Sequence, residues 1–159
     1  MFSDSKDSGI VKKAQAVAIK TIVRESKAFK TRAEYEDFVW KLLHENPFDL
    51  LVLAGYMKIL SPRTVCDFEG KIVNIHPALL PAFPGIHAIE KAFKCGVKYT
   101  GITIHFVDEG IDTGKIIKQV PIKILPNDTL KSLEERIHRI EHRIYPRVIE
   151  DILEERITL

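Results

Sequence analysis

The run Leu50-Leu51-Val52-Leu53-Ala54, introduced by Asp49 and closed by Gly55, constrains the fold more than any other segment. A stretch with no polar face must be covered on both sides, and one this short, bounded by turn residues, reads as a strand buried within a sheet. Such a sheet needs amphipathic helices to cover it, and the chain supplies them in alternation. Thr31-Arg32-Ala33-Glu34 is a capping box, with the Thr31 oxygen placed to accept from the third amide and Glu34 to reach back. The helix it opens carries Tyr35, Phe38, Val39, Leu42 and Leu43 at three-to-four spacing, and Asn46-Pro47 stops it. Ser61-Pro62 opens a short helix, and another runs from Ala88 to Cys95, closed by Gly96. Asp128 or Thr129 caps a long one with Leu130, Leu133, Ile137, Ile140 and Ile144 on one stripe, which Pro146 kinks or divides. Extended segments are expected over Ala16–Ile19, Thr21–Val23, Lys71–Asn74, Thr100–Val107 and Lys115–Ile124. Strands alternating with helices predict a single three-layer α/β domain over residues 1–159, built on a mostly parallel twisted sheet.

Composition narrows the class. A net charge of +2 gives no electrostatic footprint for nucleic acid or an anionic membrane surface. No apolar run approaches the ~20 residues of a membrane helix, and the N-terminal Met1-Phe2-Ser3-Asp4 lacks the apolar core of a signal peptide. Cys66 and Cys95 form neither a C-x-x-C pair nor a disulfide framework, which fits a reducing cytoplasm.

In parallel sheets, ligands bind beyond the carboxyl ends of the strands. Three loops meet that description. The first is Gly55-Tyr56-Met57-Lys58-Ile59-Leu60, and the second follows Ile72-Val73 with Asn74, His76 and Pro77. The third is Val107-Asp108-Glu109-Gly110-Ile111-Asp112-Thr113-Gly114. Asn74 and His76, two apart in an extended segment, share one face. The third loop alone reads equally as an acidic surface turn, and it lacks the register of an EF-hand calcium loop. Taken together, the loops supply an amide donor, a titratable ring and a carboxylate able to orient and charge that ring. With no G-x-S-x-G elbow and no Cys–His pair, the set fits acyl transfer to an external nucleophile. Asn74 and His76 would stabilise the oxyanion and Asp112 would hold His76 protonated.

At these residues the sequence resembles the phosphoribosylglycinamide formyltransferases of the purine pathway. The resemblance rests on VLAGYMKILS (52–61), VNIHPALLPAFPGIHAIEKAF (73–93), GVKYTGITIHFVDEGIDTG (96–114) and EHRIYP (141–146). It implies a formyltransferase, Rossmann-like fold and transfer of a formyl group from 10-formyltetrahydrofolate to the amine of 5′-phosphoribosylglycinamide, with no metal. It also implies catalytic roles for Asn74, His76 and Asp112, and a folate pocket built from Met57, Lys58, Ile59 and Leu60 on one wall and Asp108, Glu109, Gly110 and Ile111 on the other. Arg32 matches a family arginine on the folate side, and Asn74, Pro77, His138 and Glu141 fall at the glycinamide substrate. Partners would be these small molecules, with neither nucleic acid nor membrane, whether the chain is a monomer or a dimer.

The sequence departs from the family pattern in places. His138 stands where the family usually has Gln, and Ala78 replaces a common Ser. His138 and His142 have the i,i+4 spacing of metal ligands, but no H-E-x-x-H accompanies them, so an exposed helix face is expected. The resemblance implies that His105 sits near the catalytic carboxylate, since its family counterpart does, and a satisfied semi-buried histidine is the other reading. The family's first strand and its phosphate-binding Gly-rich loop have no counterpart after Met1, so one strand-loop-helix unit is expected to be missing. Two further readings follow: a 10-formyltetrahydrofolate hydrolase, or a non-catalytic folate-binding fragment that needs a complementing N-terminal segment.

Overall fold

The computed structural model describes residues 1–157. They form two compact units, one over Met1–Pro47 and one from Phe48 onward. In the first, β1 (Phe2–Ser3) and β2 (Ile22–Val23) pair in parallel around α1 (Gly9–Ala16), and α2 (Arg32–Glu45) follows a 3-10 turn at Ser26–Ala28. The sequence suggests an extended Ala16–Ile19; instead α1 includes Ala16, and Val17 and Ala18 form its end. Alanine is the strongest helix former, so an Ala-rich stretch joins the helix. Ala18 takes φ 56°, and the Ala18 and Ile19 amides close back on the Gln15 and Ala14 carbonyls, the bond pair of a Schellman motif. At the start of α2 the Thr31 hydroxyl accepts from the Glu34 amide as expected, but the Glu34 carboxylate accepts from Lys30 rather than from Thr31. Phe29 stacks against Tyr35 and Phe38 at 5.4 and 5.2 Å, an aromatic cluster over the buried Tyr35 and Val39.

The second unit holds a four-stranded sheet in the order β3 (Leu51–Leu53), β4 (Ile72–His76), β5 (Tyr99–Phe106), β6 (Ile116–Lys123). β3 and β4 are parallel, with Leu53 opposite Asn74, whereas β4–β5 and β5–β6 are antiparallel. The sheet is therefore mixed rather than mostly parallel. The short 107–115 connection closes a hairpin, which only antiparallel strands permit. β3, expected to be buried on both faces, is half-buried because it ends the ladder.

The helices of this unit are α3 (Pro62–Asp67), α4 (Ala88–Cys95) and α5 (Leu130–Leu153). Ser61 caps α3 with Pro62 in its first turn. Thr129 caps α5 in a reciprocal pair with Ser132. Pro146 does not divide α5: the helix runs on to Leu153, with Tyr145 and Val148 buried on either side of the proline. Its stripe packs on one face of the sheet. Leu133 and Ile137 meet Ile89, Ile102 and Ile122, while Tyr145 and Val148 meet Val73, Ile104 and Phe106. These apolar contacts are the main favourable term holding the unit together. On the opposite face of β5, the Pro-rich loop 77–87 covers Gly101 and Thr103, where Leu79 sits so close that a Cβ on Gly101 would lie 2.5 Å from its Cδ2.

Candidate functional site

β3 and β4 run parallel, so their carboxyl ends deliver the loops 54–60 and 77–87 to one rim, and the 107–115 hairpin of β5–β6 returns to the same place. Between them lies a cavity of about 660 Å³. Met57, Lys58, Ile59 and Leu60 line it from the first loop. Asn74, His76 and Pro77 line it from β4 and the second, and Asp108, Glu109, Gly110, Ile111 and Asp112 from the third. His138 and Glu141 reach it from α5. Of the residues expected at the site, all but Arg32 meet here. Arg32 lies in the first compact unit, at the start of α2, with an exposed guanidinium 2.5 Å from Glu36.

The centre is a set of four side chains. His76, 4% exposed, points Nδ1 at Asp112 Oδ2, 3.3 Å away, and Nε2 at the Phe83 carbonyl, 2.9 Å away. Both ring nitrogens face oxygen acceptors, so the ring makes both bonds when both carry hydrogen. The same Asp112 oxygen accepts from the Gly85 amide at 2.7 Å. His105, 2% exposed, places Nδ1 2.8 Å from the Phe106 carbonyl. That nitrogen carries the hydrogen, which leaves Nε2 to accept from the Asn74 amide nitrogen at 3.3 Å. The network thus orients the Asn74 amide with its nitrogen inward, leaving that group a second N–H to offer another acceptor. His105 Nε2 also lies 3.6 Å from Asp112 Oδ1. Asn74, His76, His105 and Asp112 are therefore one connected polar network.

The backbone around these groups is bent into uncommon shapes. Phe83, His87 and Asp112 all have left-handed φ, 56°, 61° and 56°. For non-glycine residues such angles persist only where surrounding contacts enforce them, and they cluster at functional sites. Gly114 has the opposite requirement, since a Cβ there would fall 1.8 Å from the Phe106 carbonyl oxygen, so only glycine lets the hairpin return so close to β5.

The wall has mixed charge. Lys58 and Lys91 line the cavity together with Asp108, Glu109, Asp112 and Glu141. His138 Nδ1 lies 2.7 Å from Glu141 Oε2, an exposed pairing that binds the ring to a carboxylate. Met57, Ile59, Ile86 and Ile111 are exposed apolar side chains at the rim, a surface suited to a flat apolar ligand. Among the described residues, no group of three or more His, Cys, Asp or Glu side chains is arranged to hold a metal ion. No helix there is long and apolar enough to cross a membrane.

Sequence reasoning missed the backbone partners, the Phe83 carbonyl and the Gly85 amide. The only hint was the Pro84-Gly85 pair, which marks a turn without saying which side chains it meets. It also left open whether His105 belonged to the site, and the two contacts to Asn74 and Asp112 place it there.

The formyl transferase family matches residues 1–149 of the chain. The phosphoribosylglycinamide formyltransferase of Bacillus subtilis is 44% identical over 153 residues, which is 96% of this chain and 78% of that protein. The enzyme of the same name from Haemophilus influenzae is 38% identical over 159 residues, 100% of this chain and 75% of its own. Among solved structures, the phosphoribosylglycinamide formyltransferase of Streptococcus pneumoniae superposes with a TM-score of 0.90 at 46% identity, covering 96% of this chain and 84% of that one. Glycinamide ribonucleotide transformylase 1 of Symbiobacterium toebii gives 0.93 at 37%, covering 99% and 74%. The α/β formyltransferase architecture expected from the sequence is the one these structures share.

Proposed function

This chain belongs to the formyl transferase family, and we propose that it transfers the formyl group of 10-formyltetrahydrofolate to the amine of 5′-phosphoribosylglycinamide, a step of purine biosynthesis. The observation that carries the reading is the convergence of Asn74, His76 and Asp112 on one cavity from β4 and the separate 107–115 hairpin. Both substrates are small molecules, and the cytoplasm is the compartment that suits them and the two free thiols.

In the reaction the amine nitrogen attacks the formyl carbon, a C–N bond forms, and the carbonyl π pair moves onto oxygen. The tetrahedral intermediate then collapses, the bond to the folate nitrogen breaks, and that nitrogen keeps the electron pair and gains a proton while the amine loses one. Asn74 and His76 serve the oxyanion. His76 already donates through Nε2 to the Phe83 carbonyl. A charged oxygen competes for that hydrogen better than a neutral carbonyl, because hydrogen bonds to ionised acceptors are roughly twice as strong. The interaction therefore strengthens only as charge develops, which is what accelerates a reaction. Asn74 adds its second N–H, its orientation fixed by His105. Asp112 holds the His76 ring and, with it, is within reach of the proton exchange.

Met57 to Leu60 and Asp108 to Ile111 form the folate side, with the exposed Met57, Ile59 and Ile111 against the flat ring. Glu141, paired with His138, and Pro77 form the side that receives the glycinamide amine, where the carboxylate favours a positively charged group.

The experiment is direct. Purified chain, 10-formyltetrahydrofolate and 5′-phosphoribosylglycinamide are mixed, and the formylated amide is followed by mass spectrometry. Product formation is expected. Its absence at saturating substrate overturns the reading, and formate release at the same rate without the amine assigns the chain to hydrolysis instead.

A further inference from the structure

We propose that Thr103 and Gln119, outside the reacting groups, are positioning residues that anchor the loop 78–85 and through it set the orientation of His76 and Asp112. The inference rests on the formyl-transfer reading of the site.

Thr103 lies in β5, opposite Gln119 of β6, and is fully buried. Its hydroxyl is saturated. It donates to the Ala78 carbonyl at 2.7 Å and accepts from the Leu80 amide at 3.0 Å and from Gln119 Nε2 at 3.0 Å. Gln119 Nε2 also donates to the Leu80 carbonyl at 2.9 Å. Gln119 sits on an exposed edge strand where water is available to its amide, yet the amide nitrogen is committed inward to the loop. Together the two side chains make four hydrogen bonds, three of them to the backbone of two loop residues, Ala78 and Leu80, at the end of the loop that follows His76 and Pro77.

The other end of the same loop touches the chemistry. The Phe83 carbonyl takes His76 Nε2, and the Gly85 amide takes Asp112 Oδ2. Between the two ends the chain turns through the Ala82 amide to the Leu79 carbonyl, and Phe83 sits at a left-handed φ that an aromatic residue does not hold unaided. A strained residue stays in place only if both flanks are pinned. The anchor supplies one flank and the His76–Asp112 pair the other. Releasing the anchor lets Phe83 relax, removes its carbonyl from His76 Nε2 and weakens the Gly85 bond to Asp112. The ring then loses its fixed aim at the reacting carbon, and misplacements near 1 Å cost about 100-fold in rate.

Thr103→Val keeps the shape and removes the hydroxyl; Thr103→Ser keeps the hydroxyl and removes the methyl; Gln119→Met keeps the length and removes the amide. The readouts are kcat per binding-competent site, counted by stoichiometric titration with a folate analogue, and KM for both substrates. The expected result is a loss of about 10- to 100-fold in kcat for Thr103→Val, with KM changed less than about threefold. Thr103→Ser is expected to keep kcat within about threefold of the parent, and Gln119→Met to fall between the two. A side chain needed only for packing gives the reverse order, with the valine variant active and the serine variant impaired, and that result overturns the proposal. So does a rise in KM at unchanged kcat, or Thr103→Val within about twofold of the parent. If the valine variant does not fold, Gln119→Met within about twofold of the parent overturns it. An unsubstituted chain with no formyl transfer overturns the functional reading instead, which keeps the two failures distinct.

Discussion

Tyr145 ties the end of β3 and the first half of β4 to α5, and removing its hydroxyl tests how much that tie holds. The ring is buried, and the hydroxyl lies 2.8 Å from the Leu53 carbonyl and 3.0 Å from that of Val73. Leu53 ends β3 just before the loop of Met57 to Leu60, and Val73 precedes Asn74. Tyr145→Phe keeps the ring and leaves two buried carbonyls without that donor. A net hydrogen bond is worth about 1 kcal/mol and an unsatisfied buried acceptor costs about 1 kcal/mol or more, so the variant should be about 1–2 kcal/mol less stable at pH 8. Burial also pushes the Tyr145 hydroxyl pKa above its ordinary value, because the charged form loses its hydration. The folded state thus binds this proton more tightly than the unfolded chain. The contribution is intact below the unfolded pKa of about 10 and is lost as pH rises beyond it, at about 1.4 kcal/mol per pH unit. The advantage of tyrosine over phenylalanine should therefore vanish about one unit higher, near pH ~11. Urea unfolding of both proteins at pH 8, 10 and 11 measures it. Equal stability at pH 8, or a gap that stays constant to pH 11, refutes the reasoning.

Two other perturbations probe the scaffold. Gly114→Ala puts a methyl 1.8 Å from the Phe106 carbonyl oxygen and 2.8 Å from its carbon, where only backbone can yield. We expect a loss of about 2–4 kcal/mol in urea unfolding and at least a ~10-fold drop in formyl transfer, since the hairpin that carries Asp112 must shift; a neutral substitution contradicts this. Asp128 accepts from both Arg136 guanidinium nitrogens, the Leu125 amide and the Ser132 hydroxyl. These donors, Arg136 foremost, hold its carboxyl well below the usual carboxylate range. Its contribution is therefore present above the unfolded pKa of about 3.9 and is lost as pH falls below it, so the stability gap between the parent and Asp128→Asn should be full at pH 7 and shrink below pH ~4. A gap unchanged from pH 7 to pH 3 counts against that account.

The parts of the fold legible in the sequence were those fixed by local chemistry. Thr31, Ser61 and Thr129 cap helices because their short hydroxyls reach the first free amides, and the stripe from Leu133 to Ile137 buries itself as its spacing requires. Asn74 and His76 share the cavity because alternate residues of a strand share a face. What escaped was decided over long range. A prolines-and-glycine loop does not say that the Phe83 carbonyl will meet His76, since every residue has a carbonyl. The left-handed φ of Phe83, His87 and Asp112 contradicts local preference and is enforced by the packed site. The antiparallel return of β5 and β6 was implicit in the short 107–115 connection, but the alternation of strands and helices elsewhere favoured a parallel reading.

The measurement that bears most directly on the shared role of Asn74, His76 and Asp112 is a double-mutant cycle on formyl transfer. It compares kcat of the parent, His76→Ala, Asp112→Asn and the double variant, with folding checked by urea. Groups that act as one unit are grossly non-additive. Each single variant should lose at least about 100-fold, and the double variant should be no slower than the worse single by more than about threefold. Losses that multiply, or a single variant with full activity, would contradict a joint role for the pair.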